Sequence, residues 1–103
     1  MEELQNKVKE FSEENNFNSD PKVRVLDLIS EVGEVAKEVL KMDNYGKGPF
    51  KFREEIKSEL GDVLFVLILI ANKYGVDLDE ALKIVLEKYN KRLKKGSPGS
   101  ENE

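Results

Sequence analysis

The sequence contains no cysteine, no histidine and no tryptophan, and only 3 prolines in 103 residues. Without thiols there is no disulfide framework and no thiolate nucleophile, and without imidazole there is no histidine base and no Cys or His zinc site. Haem ligated through either residue is excluded as well. Any catalysis must rest on carboxylates, amines, hydroxyls or a metal that they hold. Long apolar runs are also missing: the longest, residues 63–71, is nine residues, against the roughly 20 that a membrane-spanning helix needs. The first ten residues carry no apolar run of the kind a signal peptide has, so a cytoplasmic location and no membrane partner are expected.

What the sequence does have is charge. Charged residues make up 37%, with 21 acidic against 17 basic, giving a net charge of −4. A mildly acidic chain is not expected to bind nucleic acid polymers in general. The 39% hydrophobic content suffices for one modest core. A single helical domain over residues 1–95 is expected, followed by a disordered tail over 96–103, where no apolar residue occurs.

Four helices can be read from the spacing of apolar residues and their punctuation. The first, about residues 2–16, carries Leu4, Val8 and Phe11 as one stripe. Asp20 followed by Pro21 marks the start of the second, because Asp caps free amides and proline loses nothing at the first helical position. That helix runs to about Met42 with Val25, Ile29, Val32, Ala36 and Val39 on one face. A Gly/Pro-containing loop over 43–50 leads into a third helix, about 51–74, which is apolar on every side from Val63 to Ala71. Gly75 ends it, Asp77 caps the fourth, and Leu82, Val85, Leu86, Tyr89 and Leu93 share a face of that last helix. The fold class expected is all-α, a four-helix bundle-type chain assembling as a homo-oligomer, since an all-round apolar helix needs more cover than one such chain offers.

The acids follow helical spacing too. Asp27, Glu31, Glu34 and Glu38 form a stripe on the second helix, and Glu55, Glu59 and Asp62 form another on the third. Like charges so spaced repel by a few tenths of a kcal/mol per pair, on the order of 0.2–0.5. Lys37 and Lys41 on a neighbouring face offset part of this. Asp62 abuts the apolar run, where an unpartnered carboxylate is costly. If the two helices pack antiparallel, Glu31 and Glu34 face Glu59 and Asp62, and four converging carboxylates call for a hard divalent cation, Mg²⁺ or Mn²⁺ rather than zinc. Spacing alone is weak evidence, because Glu10 and Glu13 form the same pair with no functional case. It is the second pair at the edge of an apolar helix that strengthens the reading.

The string Leu28-Ile-Ser-Glu31-Val-Gly-Glu34-Val-Ala-Lys-Glu38, with Glu59-Leu-Gly-Asp62-Val-Leu-Phe after it, resembles the MazG-type nucleoside triphosphate pyrophosphohydrolases. Phe11, Pro21 and the stretch Ala71-Asn-Lys-Tyr-Gly-Val-Asp-Leu-Asp-Glu-Ala81 extend the likeness over about residues 8–93. The resemblance implies an all-α fold, homodimers or homotetramers, and Mg²⁺-dependent cleavage of a nucleoside triphosphate to monophosphate and pyrophosphate, a reaction suited to nucleotide-pool house-cleaning. It also implies Glu31, Glu34, Glu59 and Asp62 as metal ligands, with Glu38 a further ligand or a group supporting one. Gly33 and Gly61 would fit close approach of the helices, since mid-helix glycine otherwise costs about 1 kcal/mol.

Hydrolysis would then use water activated by the metal and by a carboxylate base, Glu34 or Glu38. The basic last helix offers Lys88 and Arg92, with Asn90 between them, as a phosphate clamp, and Lys22 beside Pro21 as a weaker candidate; a solvated cationic helix end is the plain alternative. Phe11, Phe17, Tyr45, Phe50 and Phe52 are the aromatics available for a base. Two rival readings stand beside this one: a phosphoribosyl-ATP pyrophosphohydrolase, and a non-enzymatic helical oligomerisation or adaptor module.

Overall fold

A computed structural model describes residues 1–17 and 20–96, which form helices and connecting turns with no strand among them. The helices are α1 (Glu2–Glu14), α2 (Pro21–Met42), α3 (Glu55–Lys73) and α4 (Leu78–Lys94). None of them is long and apolar enough to cross a membrane. The tail expected to be disordered lies, apart from Gly96, outside the described residues.

The helix boundaries have the local causes expected. Asp20 accepts a hydrogen bond from the Lys22 amide at 3.0 Å with Pro21 in the first turn, and Asp77 accepts from the Asp79 amide at 2.9 Å. Gly75 follows α3 with φ +65°, and the Val76 amide reaches back to the Ala71 carbonyl at 2.9 Å, closing the helix end. The third helix starts at Glu55 rather than near residue 51. Before it the chain makes a left-handed turn through Asn44, Tyr45 and Gly46, and the Lys51 amide bonds to the Met42 carbonyl at 2.6 Å, so residues 51–54 cross from one helix to the other.

The main packing is α2 on α3, with α1 lying against α3. Ile56, Val66, Ile68, Leu69 and Ala71 are buried, all of them on α3. Phe65 adds an aromatic cluster with Phe11 and Phe17, at centroid distances of 5.9 and 5.6 Å. The fourth helix makes no comparable contact with any other and has no buried residue. The radius of gyration is correspondingly large, 17.0 Å, against about 13 Å for a compact chain of 100 residues.

Two helices turn different faces inward from those their apolar stripes predict. On α2 the inward line is Arg24, Leu28, Glu31, Val35, Glu38 and Met42, while Ile29, Val32 and Val39 stay 66%, 51% and 53% exposed. On α1 the buried residues are Gln5 and Ser12. Gln5 is satisfied there: its Nε2 donates to Asn72 Oδ1 at 3.1 Å and to the Val76 carbonyl at 2.9 Å, while its Oε1 accepts from the Leu78 amide at 3.0 Å. A fully bonded amide is tolerated in a core. Leu60, Leu64 and Leu67 on α3 and Leu82, Leu86 and Leu93 on α4 are also exposed. The single chain therefore leaves much of its apolar surface open.

Candidate metal and active site

Near the loop, Arg53 just before α3 meets Glu38 near the end of α2; deeper into α3, Glu59 and Asp62 act on Glu31, further back along α2. The two helices thus run antiparallel, and the acidic stripes face one another. Glu31 and Glu59 are half-buried at the seam, and Glu34 and Asp62 are exposed at its rim. Burial raises the Glu31 carboxyl above its ordinary value, and the charges of Asp62, Glu59, Glu34 and Asp27 push it further in the same direction. No group of three or more Asp or Glu side chains among the described residues is closed up into a ready coordination cluster. The carboxylates sit within mutual repulsion, short of contact with a common centre.

The other acids on α2 have partners. Asp27 Oδ2 lies 3.2 Å from Arg24 Nη2, and that guanidinium also sits 5.3 Å from the centre of the Phe17 ring. Glu38 is only 8% exposed, and accepts from Arg53 Nε at 2.7 Å and from Nη2 at 3.4 Å. This pairing lowers the Glu38 carboxyl below its ordinary value, outweighing its burial. Glu34 has Lys37 only at 4.0 Å. The stripe is thus neutralised by arginine at both ends, and Glu31 in its middle faces other acids.

These surroundings bear on each expected residue. Glu34, Glu59 and Asp62 act electrostatically on Glu31, whereas an arginine engages both oxygens of Glu38 and lowers its proton affinity. Lys88 and Arg92 lie over the Tyr89 ring at 5.5 and 5.1 Å, and Asn90 is exposed beside them. The packing of α4 on α2 and α3 is sparse beside that of α2 on α3. The Lys22 side chain is exposed at the start of α2. The glycines do not mark close approach, since a Cβ at Gly33 or Gly61 would meet no atom within 4 Å. Sequence reasoning missed Arg24 and Arg53. The first is legible as a basic residue three before Asp27, but the second depends on where the loop crosses.

Oxygen-only donors on two antiparallel helices, with an uncompensated acid at the seam, define an all-α protein whose site is built between facing helices. The MazG nucleotide pyrophosphohydrolase domain model matches residues 20–97, and the chain belongs to that family. Among relatives, YpjD of Bacillus subtilis (strain 168) is 46% identical over 70 residues, covering 65% of this chain; the match spans 61% of YpjD's own length. YvdC of the same organism is 31% identical over 94 residues, covering 84% of this chain and 89% of YvdC. Among solved structures, that of the Bacillus-conserved MazG protein, a nucleotide pyrophosphohydrolase, superposes with a TM-score of 0.71 at 34% identity, over 85% of this chain and 86% of that one. The crystal structure of YpjD from Bacillus subtilis gives 0.73 at 34% identity, over 89% and 94%.

Proposed function

We propose that the protein is a Mg²⁺-dependent nucleoside triphosphate pyrophosphohydrolase, releasing the monophosphate and pyrophosphate. The observation that carries this reading is Glu31, a half-buried carboxylate held among Asp62, Glu59 and Glu34 with its proton affinity raised. Such crowding opposes folding unless a cation offsets it. The donor set suits a hard divalent ion, so Glu31, Glu34, Glu59 and Asp62 would hold Mg²⁺, with Mn²⁺ able to replace it. When bound, that ion supplies charge neutralisation for the phosphates and a more acidic water.

The chain's own groups account for the rest. Glu34, exposed at the rim with Lys37 at 4.0 Å, takes the proton from the attacking water. The water oxygen bonds to the α-phosphorus, the bond to the bridging oxygen breaks, and pyrophosphate leaves with that oxygen. Lys88, Arg92 and Asn90 are the groups suited to hold the outer phosphates, and Lys22 stands at the start of α2. Since α4 packs only sparsely on its own chain, the clamp is completed in an assembled homodimer or homotetramer. The open apolar faces of α2, α3 and α4 support such assembly.

The test is a panel of normal and modified ribo- and deoxynucleoside triphosphates with Mg²⁺, together with phosphoribosyl-ATP, and identification of the products. Monophosphate plus pyrophosphate from a nucleoside triphosphate is expected. Turnover of phosphoribosyl-ATP alone would move the protein to that activity, and no turnover of any of them would leave a helical oligomerisation module.

A further inference from the structure

Arg53 and Glu38 have no part in the chemistry just described, yet they form a two-point ion pair, Nε and Nη2 on the two Glu38 oxygens. We infer that Arg53 is a positioning residue: by clamping Glu38 it sets where α3 begins along α2, and so brings Glu59 and Asp62 opposite Glu31. This inference rests on the functional reading above.

Three observations carry it. First, α3 does not fix its own start. Asp20 and Asp77 cap α2 and α4 with side-chain hydrogen bonds, but Glu54, at the corresponding place before α3, makes none. Second, the chain ahead of α3 leaves α2 through three successive residues at positive φ, Asn44 at 54°, Tyr45 at 57° and Gly46 at 81°. It is tied back to α2 by the bond from the Lys51 amide and by Arg53 itself. Third, the guanidinium spans both helices. Its Nε and Nη2 engage the two Glu38 oxygens on α2, and Nη2 also lies 3.8 Å from Glu55 Oε2, in the first residue of α3.

Register gives the clamp its consequence. Counting six residues on from Arg53 reaches Glu59, and counting seven back from Glu38 reaches Glu31. A slip of α3 by one residue turns its side chains by about 100°. Glu59 would then leave the seam, although the helix itself stayed intact. A bidentate arginine fixes both distance and orientation, which a lysine does not.

The experiment is calorimetric titration of Mn²⁺ into the full chain, comparing wild type with Arg53→Met, Glu38→Gln, the double variant and Arg53→Lys, with helix content followed by circular dichroism. Each single loss should weaken Mn²⁺ binding by about 10- to 100-fold, the double variant should be no worse than either single one, and Arg53→Lys should fall between. Wild-type or tighter Mn²⁺ binding by Arg53→Met would overturn the inference, because it would make Glu38 a ligand that the arginine withholds, or the pair a mere source of stability. If Arg53→Met does not fold, a folded Glu38→Gln with unchanged Mn²⁺ affinity overturns it equally. Wild type that binds Mn²⁺ but releases no pyrophosphate from any nucleotide contradicts the functional reading alone. Wild type that binds no Mn²⁺ contradicts both.

Discussion

Glu31 and Glu38 stand on one helix about two turns apart, both facing α3, yet their carboxyl groups are moved in opposite directions. At Glu38 the facing segment delivers Arg53, and the acid keeps its charge more readily than usual. At Glu31 burial raises the carboxyl, the same helix pair adds the charges of Asp62 and Glu59, and the acid gives its charge up more readily. Burial pushes both carboxyls upward, and Glu38 is the more buried of the two; what separates them is the partner that the antiparallel register sets opposite each. A carboxylate supplied with an arginine by its own chain serves the architecture, whereas one supplied with further carboxylates is held for a cation from outside.

The largest effect should come from removing the carboxylate proposed as the base. Glu34→Gln is expected to lower kcat for pyrophosphate release by about 100- to 10 000-fold, with the metal-free melting temperature unchanged or higher. Unfolding of that variant would show instead that the carboxylate serves the fold. Next in size is the metal itself. Mg²⁺ at about 100 times its Kd should stabilise the wild type by about 2.7 kcal/mol. Thermal unfolding should show that gain lost in Glu59→Gln and in Asp62→Asn.

A sharper form of the comparison uses the metal-free protein. A raised carboxyl binds its proton more tightly in the folded state, so Glu31 takes stability away as pH rises through its titration range. Glu38 does the reverse: its contribution is present above the ordinary carboxylate value and is lost as pH falls through its lowered one. At neutral pH, Glu31→Gln should therefore raise the melting temperature and Glu38→Gln lower it. Shifts of the same sign would break the contrast. The smallest effect is expected at Gly61→Ala, a gain of about 0.5–1 kcal/mol in chemical denaturation, since a Cβ there meets no neighbour. Glu13→Gln, on exposed α1 surface, should change neither turnover nor stability.

Much of this could be read from the chain before any fold was in view. Asp20-Pro21, Gly75 and Asp77 mark helix ends through local chemistry, and the acidic stripes follow helical period, so the facing of the two stripes was legible. The inward face of α2 was not. Its stripe of Val25, Ile29, Val32, Ala36 and Val39 points away from α3, because apolar periodicity marks a face to be covered without naming what covers it. Gln5 was hidden for a related reason: a glutamine reads as surface until Asn72 and the turn at Val76 and Leu78 satisfy it. Arg53 lay in a stretch expected to be helical, and its bond to Glu38 exists only because residues 51–54 run across from α2 to α3 instead.

The central claim is that Glu31 and its neighbours form a charge deficit that a divalent cation fills. It is tested most directly by the rise in melting temperature that Mg²⁺ produces, followed from neutral to acid pH. The account predicts a clear rise at neutral pH that shrinks to nothing in acid, as Glu31 becomes protonated. No rise at neutral pH, or one that persists unchanged in acid, would contradict it.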